Sequence, residues 1–142
     1  MRALLDVNVL IALLDQDHTL HARARAWIEA NARAGWASSP LTQNGCVRVM
    51  ANPAYPNALP VAQVAARLRE AIADVHHEFW PDDVSLLDDR IVDATRIHGA
   101  RQVTDLYLLA LAVRRDATFV TFDASVVADA VRGAATRHLT LL

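Results

Sequence analysis

The sequence predicts an α/β fold in which helices cover both faces of a mostly parallel sheet, a three-layer α/β/α sandwich. Short apolar segments alternate with helical ones along the whole chain, and this alternation is typical of parallel sheets buried on both faces. The 142 residues, 54% of them hydrophobic, suffice for a sizeable core. We therefore expect a single domain that spans residues 1–142.

Strands and helices in the first half of the chain follow from their apolar periods and from the Gly and Pro residues between them. Pro60 stands where proline is tolerated at the start of a helix. The predicted elements are a strand at 2–5, helices at 7–14 and 18–34, a strand at 35–40, helices at 41–51 and 61–75, and a strand at 76–80.

The second half contains three further predicted helices and two strands. Thr104 is the expected N-cap of the middle helix, and the β-branched and aromatic run before Asp123 favours a strand. The predicted elements are helices at 88–99, 104–116 and 124–133 and strands at 117–123 and 138–142.

Composition excludes several functions. All 14 basic residues are Arg, so mechanisms that need a lysine, such as P-loop phosphate binding or Schiff-base chemistry, are absent. The formal net charge of −2 is unusual for a nucleic-acid-binding domain. A single Cys46, the lack of a signal-peptide core and the lack of a membrane-spanning stretch indicate a soluble protein of the reducing cytoplasm.

Three acids mark a candidate site. Asp6 and Asp123 follow predicted strands, and Asp105 begins the helix before the second of them. Singly, each has an ordinary interpretation as a helix cap, a first-turn acid or a turn residue. Together they fall at the carboxyl ends of the strands, where parallel sheets bind ligands.

Three neighbouring carboxylates repel one another unless they are protonated or a cation neutralises them. Oxygen ligands select hard ions such as Mg²⁺ or Mn²⁺, which keep several waters and bind substrate phosphates. The sequence therefore predicts a metal site formed by Asp6, Asp105 and Asp123. Such an ion would also offset the unfavourable net charge toward a phosphate-rich substrate.

The chain resembles the PIN-domain nucleases, most closely the VapC-type toxins of bacterial toxin–antitoxin pairs. The resemblance runs nearly from end to end and lies in "LLDVNVLIALL", "PLTQNGCVRVMANP", "FWPDD" and "VTDLYLLALAVRRDATFVTFD". It implies a metal-dependent endoribonuclease with Asp6, Asp105 and Asp123 as metal ligands and catalytic residues. It also implies a homodimer and an antitoxin segment in a groove between the helices at 9–14, 20–28 and 61–72.

The chain departs from this family at one position. The family commonly has a Glu on the helix after the second strand, where this sequence has only Gln43 and Asn44. A second metal ion is therefore in question, and two alternatives stay open: a catalytically weakened binding module with the same fold, and a nuclease of RNA maturation. Asn8 and Thr121 match small polar positions beside the acids and are interpreted as supports for them or as capping residues.

Other polar residues give weaker signals. The six His residues are poorly placed for a metal-free acid–base mechanism, and Cys46 is expected in the core rather than as a nucleophile. Six arginines are candidate phosphate contacts, although for any one of them a solvated helix face is the favoured explanation. They are Arg23, Arg25, Arg67, Arg69, Arg114 and Arg115.

Overall fold

Five short strands form the centre of the molecule in a computed structural model that describes all of residues 1–142. They are β1 (Ala3–Leu5), β2 (Trp36–Ser38), β3 (His77–Phe79), β4 (Thr118–Thr121) and β5 (Leu139–Leu141). Their order in the sheet is β3-β2-β1-β4-β5, and every neighbouring pair is parallel. The chain therefore extends the sheet in one direction from β1 and then in the other, and this reversal opens a crevice at the carboxyl ends of β1 and β4.

Five α-helices cover the sheet, as the three-layer prediction requires. They are α1 (Val7–Leu14), α2 (His21–Asn31), α3 (Pro40–Met50), α4 (Val61–Ile72) and α5 (Val103–Arg114). One apolar cluster joins α5 to Leu4 and Phe119, and a second joins α1, α3 and α4 to Leu5 and Val120. Because neighbouring residues of a strand point to opposite faces, β1, β2 and β4 each contribute to both clusters. The predicted α/β fold class is confirmed.

Helices α1 and α3 approach each other closely at Gly45. A Cβ atom added at Gly45 would lie 2.7 Å from Cγ2 of Val7, closer than side chains normally approach. The stiff β-branched Val7 cannot easily rotate away, so glycine permits this approach. Glycine is normally unfavourable inside a helix, but here it lets α3 pack against the residue that follows Asp6.

Two predicted helices, at 88–99 and 124–133, are wrong. Asp93 and Asp123 side chains accept hydrogen bonds from the backbone amides of Thr95 and Ser125, and such local bonds compete with helical ones. An antiparallel bridge between Val92 and Val131 then pairs the two segments with each other. Only single 3₁₀ turns, Ala94–Arg96 and Ala128–Ala130, remain helical.

The predicted N-cap at Thr104 is also wrong. A 3₁₀ turn at Ala100–Gln102 runs directly into α5, so Gln102 occupies the cap position without a side-chain hydrogen bond. Thr104 and Asp105 consequently lie inside the first helical turn. None of the helices is both long and apolar enough to cross a membrane.

Candidate active site

Asp6 joins β1 to α1 and is 5% exposed. One carboxylate oxygen accepts the backbone N–H of Val7 at 2.7 Å, and the other accepts the hydroxyl of Thr121 at 2.6 Å. Burial raises the pKa of Asp6, while these two hydrogen bonds oppose the rise. Asp6 is thus both the cap of α1 and a member of the acidic group, two roles that the sequence analysis weighed as alternatives.

Thr121 and Asn8 hold the end of β4 against the start of α1. The Thr121 hydroxyl donates to Asp6 and accepts the side-chain amide of Asn8 at 3.3 Å and the backbone N–H of Asp123 at 3.0 Å. The Asn8 carbonyl oxygen accepts the backbone N–H of Phe122 at 3.3 Å. Both side chains therefore connect the two acid-bearing segments, in agreement with a supporting position.

Asp123 and Asp105 complete the acidic group. Asp123 accepts the backbone amide and the hydroxyl of Ser125 at 2.8 and 2.6 Å, and these bonds lower its pKa. The pKa of Asp105 is raised to about 7, mainly by burial and then by the charges of Asp6 and Asp123 and a hydrogen bond to Asp123. Near neutral pH a substantial fraction of Asp105 therefore carries a proton.

Burial and the neighbouring charges of Asp6 and Asp123 both disfavour the ionised form of Asp105, so a cation bound beside it would stabilise that form. The donor set consists of carboxylate, hydroxyl and amide oxygens, which suits a hard divalent cation. No three His, Cys, Asp or Glu side chains are grouped closely enough in the structure to hold a metal ion together. The chemistry of the donor set therefore fits an ion that keeps several waters and is bound by fewer than three of these side chains, and the role of the three acids as ligands stays a prediction.

Gln43 and Asn44 differ in their surroundings, although the sequence offered them as equivalents. The Gln43 side-chain amide donates to the hydroxyl of Ser38 at 2.9 Å, and this hydroxyl lies 2.8 Å from Nε2 of His77. Asn44 is exposed. Gln43 is therefore held at the carboxyl end of β2, with its nitrogen committed to Ser38 and its carbonyl oxygen left as the free acceptor.

Ser38 and His77 are polar residues of this sheet edge that the sequence analysis missed. Ser38 is fully buried and ends β2. Ser38, like Asp6 and Asp123, is a polar residue at the end of an apolar segment, so the same feature of the sequence was present there. The contact with His77 depends on the pairing of β2 with β3 and had no counterpart in the local sequence.

The remaining candidates have structural contacts elsewhere. Ring nitrogens of His21 and His138 lie 2.7 Å from the Ala12 carbonyl oxygen and 3.3 Å from Asp116. His18 and His21 are half-buried. Burial raises the pKa of the Cys46 thiol to about 12, which is consistent with a core residue and not with a nucleophile.

The raised pKa of Asp105 predicts how stability depends on pH without metal. The folded protein binds this proton more tightly than the unfolded chain, whose pKa is near 3.8, so the free energy of unfolding falls as pH rises from about 4 to about 7. Asp105→Asn removes this loss. We expect the variant to melt about 2–5 °C higher than the wild type at about pH 7.5 in EDTA, from about 1 kcal/mol after allowance for solvent screening.

Thermal melts of both proteins at about pH 5 and about pH 8 test this expectation. The difference between them should be smaller at the lower pH, because about pH 5 lies closer to the unfolded-state pKa of 3.8 and less of the stability has been lost there. Asp129→Asn, at an exposed position in a 3₁₀ turn, serves as the control and should show the same pH dependence as the wild type. A pH-independent difference for Asp105→Asn would contradict the assignment.

Comparisons with known proteins identify the family of the chain. The family model for the PIN domain matches residues 3–131. Ribonuclease VapC44 of Mycobacterium tuberculosis is 54% identical over 142 residues, which cover all of both chains. Ribonuclease VapC38 of the same organism is 51% identical over 125 residues, 87% of this chain and 86% of the relative.

A solved structure shares the fold. The crystal structure of VapBC2 from Rickettsia felis bound to a DNA fragment from their promoter superposes with a TM-score of 0.58 at 12% identity, over 88% of this chain and 90% of that chain. At this identity the match concerns the fold alone. Together with the full-length sequence matches, it leads to one conclusion: the chain belongs to the PIN-domain family and groups there with the VapC ribonucleases.

Proposed function

We propose that the chain is a metal-dependent endoribonuclease that acts as the toxin of a toxin–antitoxin pair in the cytoplasm, with residues 1–142 as one catalytic domain. The observation that carries the proposal is the proximity of Asp105 to Asp6 and Asp123, whose charges add to the effect of burial in raising the pKa of Asp105 to about 7. The full-length similarity to ribonucleases of the VapC group supports the choice of RNA as substrate.

Mg²⁺ or Mn²⁺ held by these carboxylates would supply Lewis-acid activation of a water and would neutralise charge on the departing oxygen. The chain's own residues prepare the site for this. Thr121 and the Val7 amide keep Asp6 oriented although it is buried, and Asn8 holds Thr121 in place. Gln43 offers a neutral carbonyl oxygen where relatives of the family commonly have a carboxylate, so a second ion would be bound weakly.

The alternative of a weakened binding module rests on Gln43. It predicts metal binding or RNA binding without turnover, whereas the proposed enzyme releases products. The other alternative, a nuclease of RNA maturation, uses the same chemistry and differs only in substrate and in the absence of an antitoxin. The full-length similarity to VapC ribonucleases favours the toxin over both.

The chemistry predicts the ends of the products. Attack by water on phosphorus with departure of the 3′-oxygen leaves a 5′-phosphate on one fragment and a 3′-hydroxyl on the other. Purified protein should cleave single-stranded RNA with Mg²⁺ or Mn²⁺, stop in EDTA, and lose cleavage by about 10²-fold or more in Asp6→Asn and Asp105→Asn. Thr121→Val should weaken Mn²⁺ binding by about 10–100-fold.

Asp129→Asn is the matched control and should cleave like the wild type. Fragment sequencing identifies the ends, and titration with Mn²⁺ measures binding independently of turnover. Fragments with 2′,3′-cyclic phosphate ends, or undiminished cleavage in EDTA, would contradict the metal-dependent mechanism. Metal binding that is unchanged in Asp6→Asn would favour the binding-module alternative.

A groove between α1, α2 and α4 is the proposed site of the antitoxin. It has a volume of about 570 Å³ and is lined by side chains of both charges, among them Asp15, Arg67 and Glu70. The groove lies near the C-terminal end of α1, about 12 Å along the helix from Asp6. Since an extended chain spans about 3.3 Å per residue, roughly four residues of an antitoxin segment would reach the acidic site from there.

Expression of the wild-type chain should therefore arrest bacterial growth, and co-expression of a small protein encoded beside it should relieve the arrest. Gln16→Trp fills the groove at one of its lining residues and should keep the arrest but lose the relief. Gln63→Trp, exposed on α4 and not part of the lining, is the control. Equal arrest by Asp105→Asn would contradict a toxin that acts by RNA cleavage.

A homodimer is proposed from an apolar surface at the starts of α3 and α5. Leu41 and Val103 are 36% and 39% exposed and, with Leu86 and Tyr107, line a cleft of about 300 Å³. A second copy of the chain would cover these side chains, as the family resemblance implies. This surface adjoins the first turn of α5, which carries Asp105.

Light scattering at micromolar concentration should give the mass of a dimer. Val103→Glu should shift it toward the monomer, because a charge at a buried apolar interface is costly. Val75→Glu alters a more exposed valine, 88% accessible and outside this cleft, and should leave the dimer intact. A wild-type monomer would overturn the dimer proposal.

A further inference from the structure

The structure separates the six candidate arginines into those with internal partners and those without. Arg25 pairs with Glu29, and both Arg114 and Arg115 pair with Asp83. These three guanidinium groups are thus partly neutralised within the protein. Arg67 points toward the carbonyl oxygen of Leu14 at 3.5 Å. Arg23 and Arg69 remain as exposed cations without such a partner.

Arg69 lies beside the two neutral amides of α3. It lines a cleft of about 220 Å³ between α3 and α4 together with Gln43 and Asn44. The rest of the lining is apolar and consists of Val47, Ala65, Leu68 and Ile72. The aliphatic part of Arg69 can therefore rest on apolar surface while its guanidinium group faces solvent.

This cleft connects to the acidic edge through a short series of contacts. Gln43 donates to Ser38, which ends β2. Leu4 pairs with Ala37, and the same register one residue further places Ser38 beside Leu5. Leu5 directly precedes Asp6. Arg23, in contrast, lies on α2, which contributes nothing to this edge.

We propose that Arg69 and the Asn44 amide bind a backbone phosphate of the RNA strand next to the one that is cleaved. The inference rests on the proposed ribonuclease function and adds a substrate contact to it. A chain with a net charge of −2 and three clustered acids repels an RNA backbone, so a cation beside the acids is needed to hold the strand. Guanidinium and amide N–H groups are suitable phosphate donors, and the contact is independent of base sequence.

The experiment measures RNA binding without cleavage, in the full-length chain carrying Asp105→Asn and with Mg²⁺ present. Fluorescence anisotropy with a labelled single-stranded RNA is recorded over a series of salt concentrations. Each phosphate contact contributes a slope of about −0.7 to the dependence of log K on log salt for single strands. Arg69→Gln should reduce the slope by about 0.7 and weaken binding roughly three- to tenfold at low salt.

Matched variants separate this contact from general effects. Arg69→Lys keeps the charge and should retain the slope, while Arg23→Gln removes an equally exposed charge from α2 and should leave it unchanged. The melting temperature should be the same for Arg69→Gln as for its parent, and Arg69→Gln made in the chain with Asp105 intact should bind Mn²⁺ like the wild type. A parent that binds RNA while Arg69→Gln shows an unaltered slope overturns the phosphate site without affecting the proposed ribonuclease function.

A protein ligand for the cleft is the competing outcome. If Arg69→Gln leaves RNA binding unchanged but reduces co-purification of the co-expressed antitoxin, the cleft serves the antitoxin and the phosphate proposal is wrong. Failure of the proposed function would look different, since metal-independent cleavage or the absence of cleavage would already be seen in the wild type.

Discussion

The crowding of negative charge at the carboxyl edge of the sheet is the constraint on which the other features of the site depend. Burial and two neighbouring carboxylates raise the pKa of Asp105 to about 7. The fold tolerates this because hydrogen bonds from Thr121, the Val7 amide and Ser125 stabilise the other two acids. The same unfavourable burial and crowding of carboxylates lowers the stability of the metal-free protein and would favour binding of a cation.

The sequence contained enough information to locate this edge. Asp6 and Asp123 each interrupt an apolar run at the point where a parallel strand ends, and strand ends of such a sheet meet at one edge. The prediction of helices at 88–99 and 124–133 failed. The conformation of these segments is decided by Asx-type hydrogen bonds at Asp93 and Asp123 and by the bridge between Val92 and Val131. A helical pattern of apolar residues contains no information about either.

Contacts between distant segments could not be predicted. A glycine within a helix is normally unfavourable, and only the packed structure explains Gly45 by the 2.7 Å that would separate its Cβ from Val7. Gln43, rather than Asn44, reaches Ser38 in the folded structure. The choice between these two residues depends on where α3 lies relative to the end of β2, which the local sequence does not determine.

The neutral Gln43 alters the balance of the whole site. A carboxylate at this position would add a fourth negative charge, raise the repulsion in the metal-free protein and hold a second cation more firmly. With an amide, the site needs less compensating charge, and its nitrogen is instead satisfied by Ser38. In the proposed enzyme, fewer bound cations would leave more of the RNA charge unbalanced, so basic side chains near Gln43 would contribute more to holding the strand. Arg69 lines the same cleft as Gln43 and is the basic residue of that cleft.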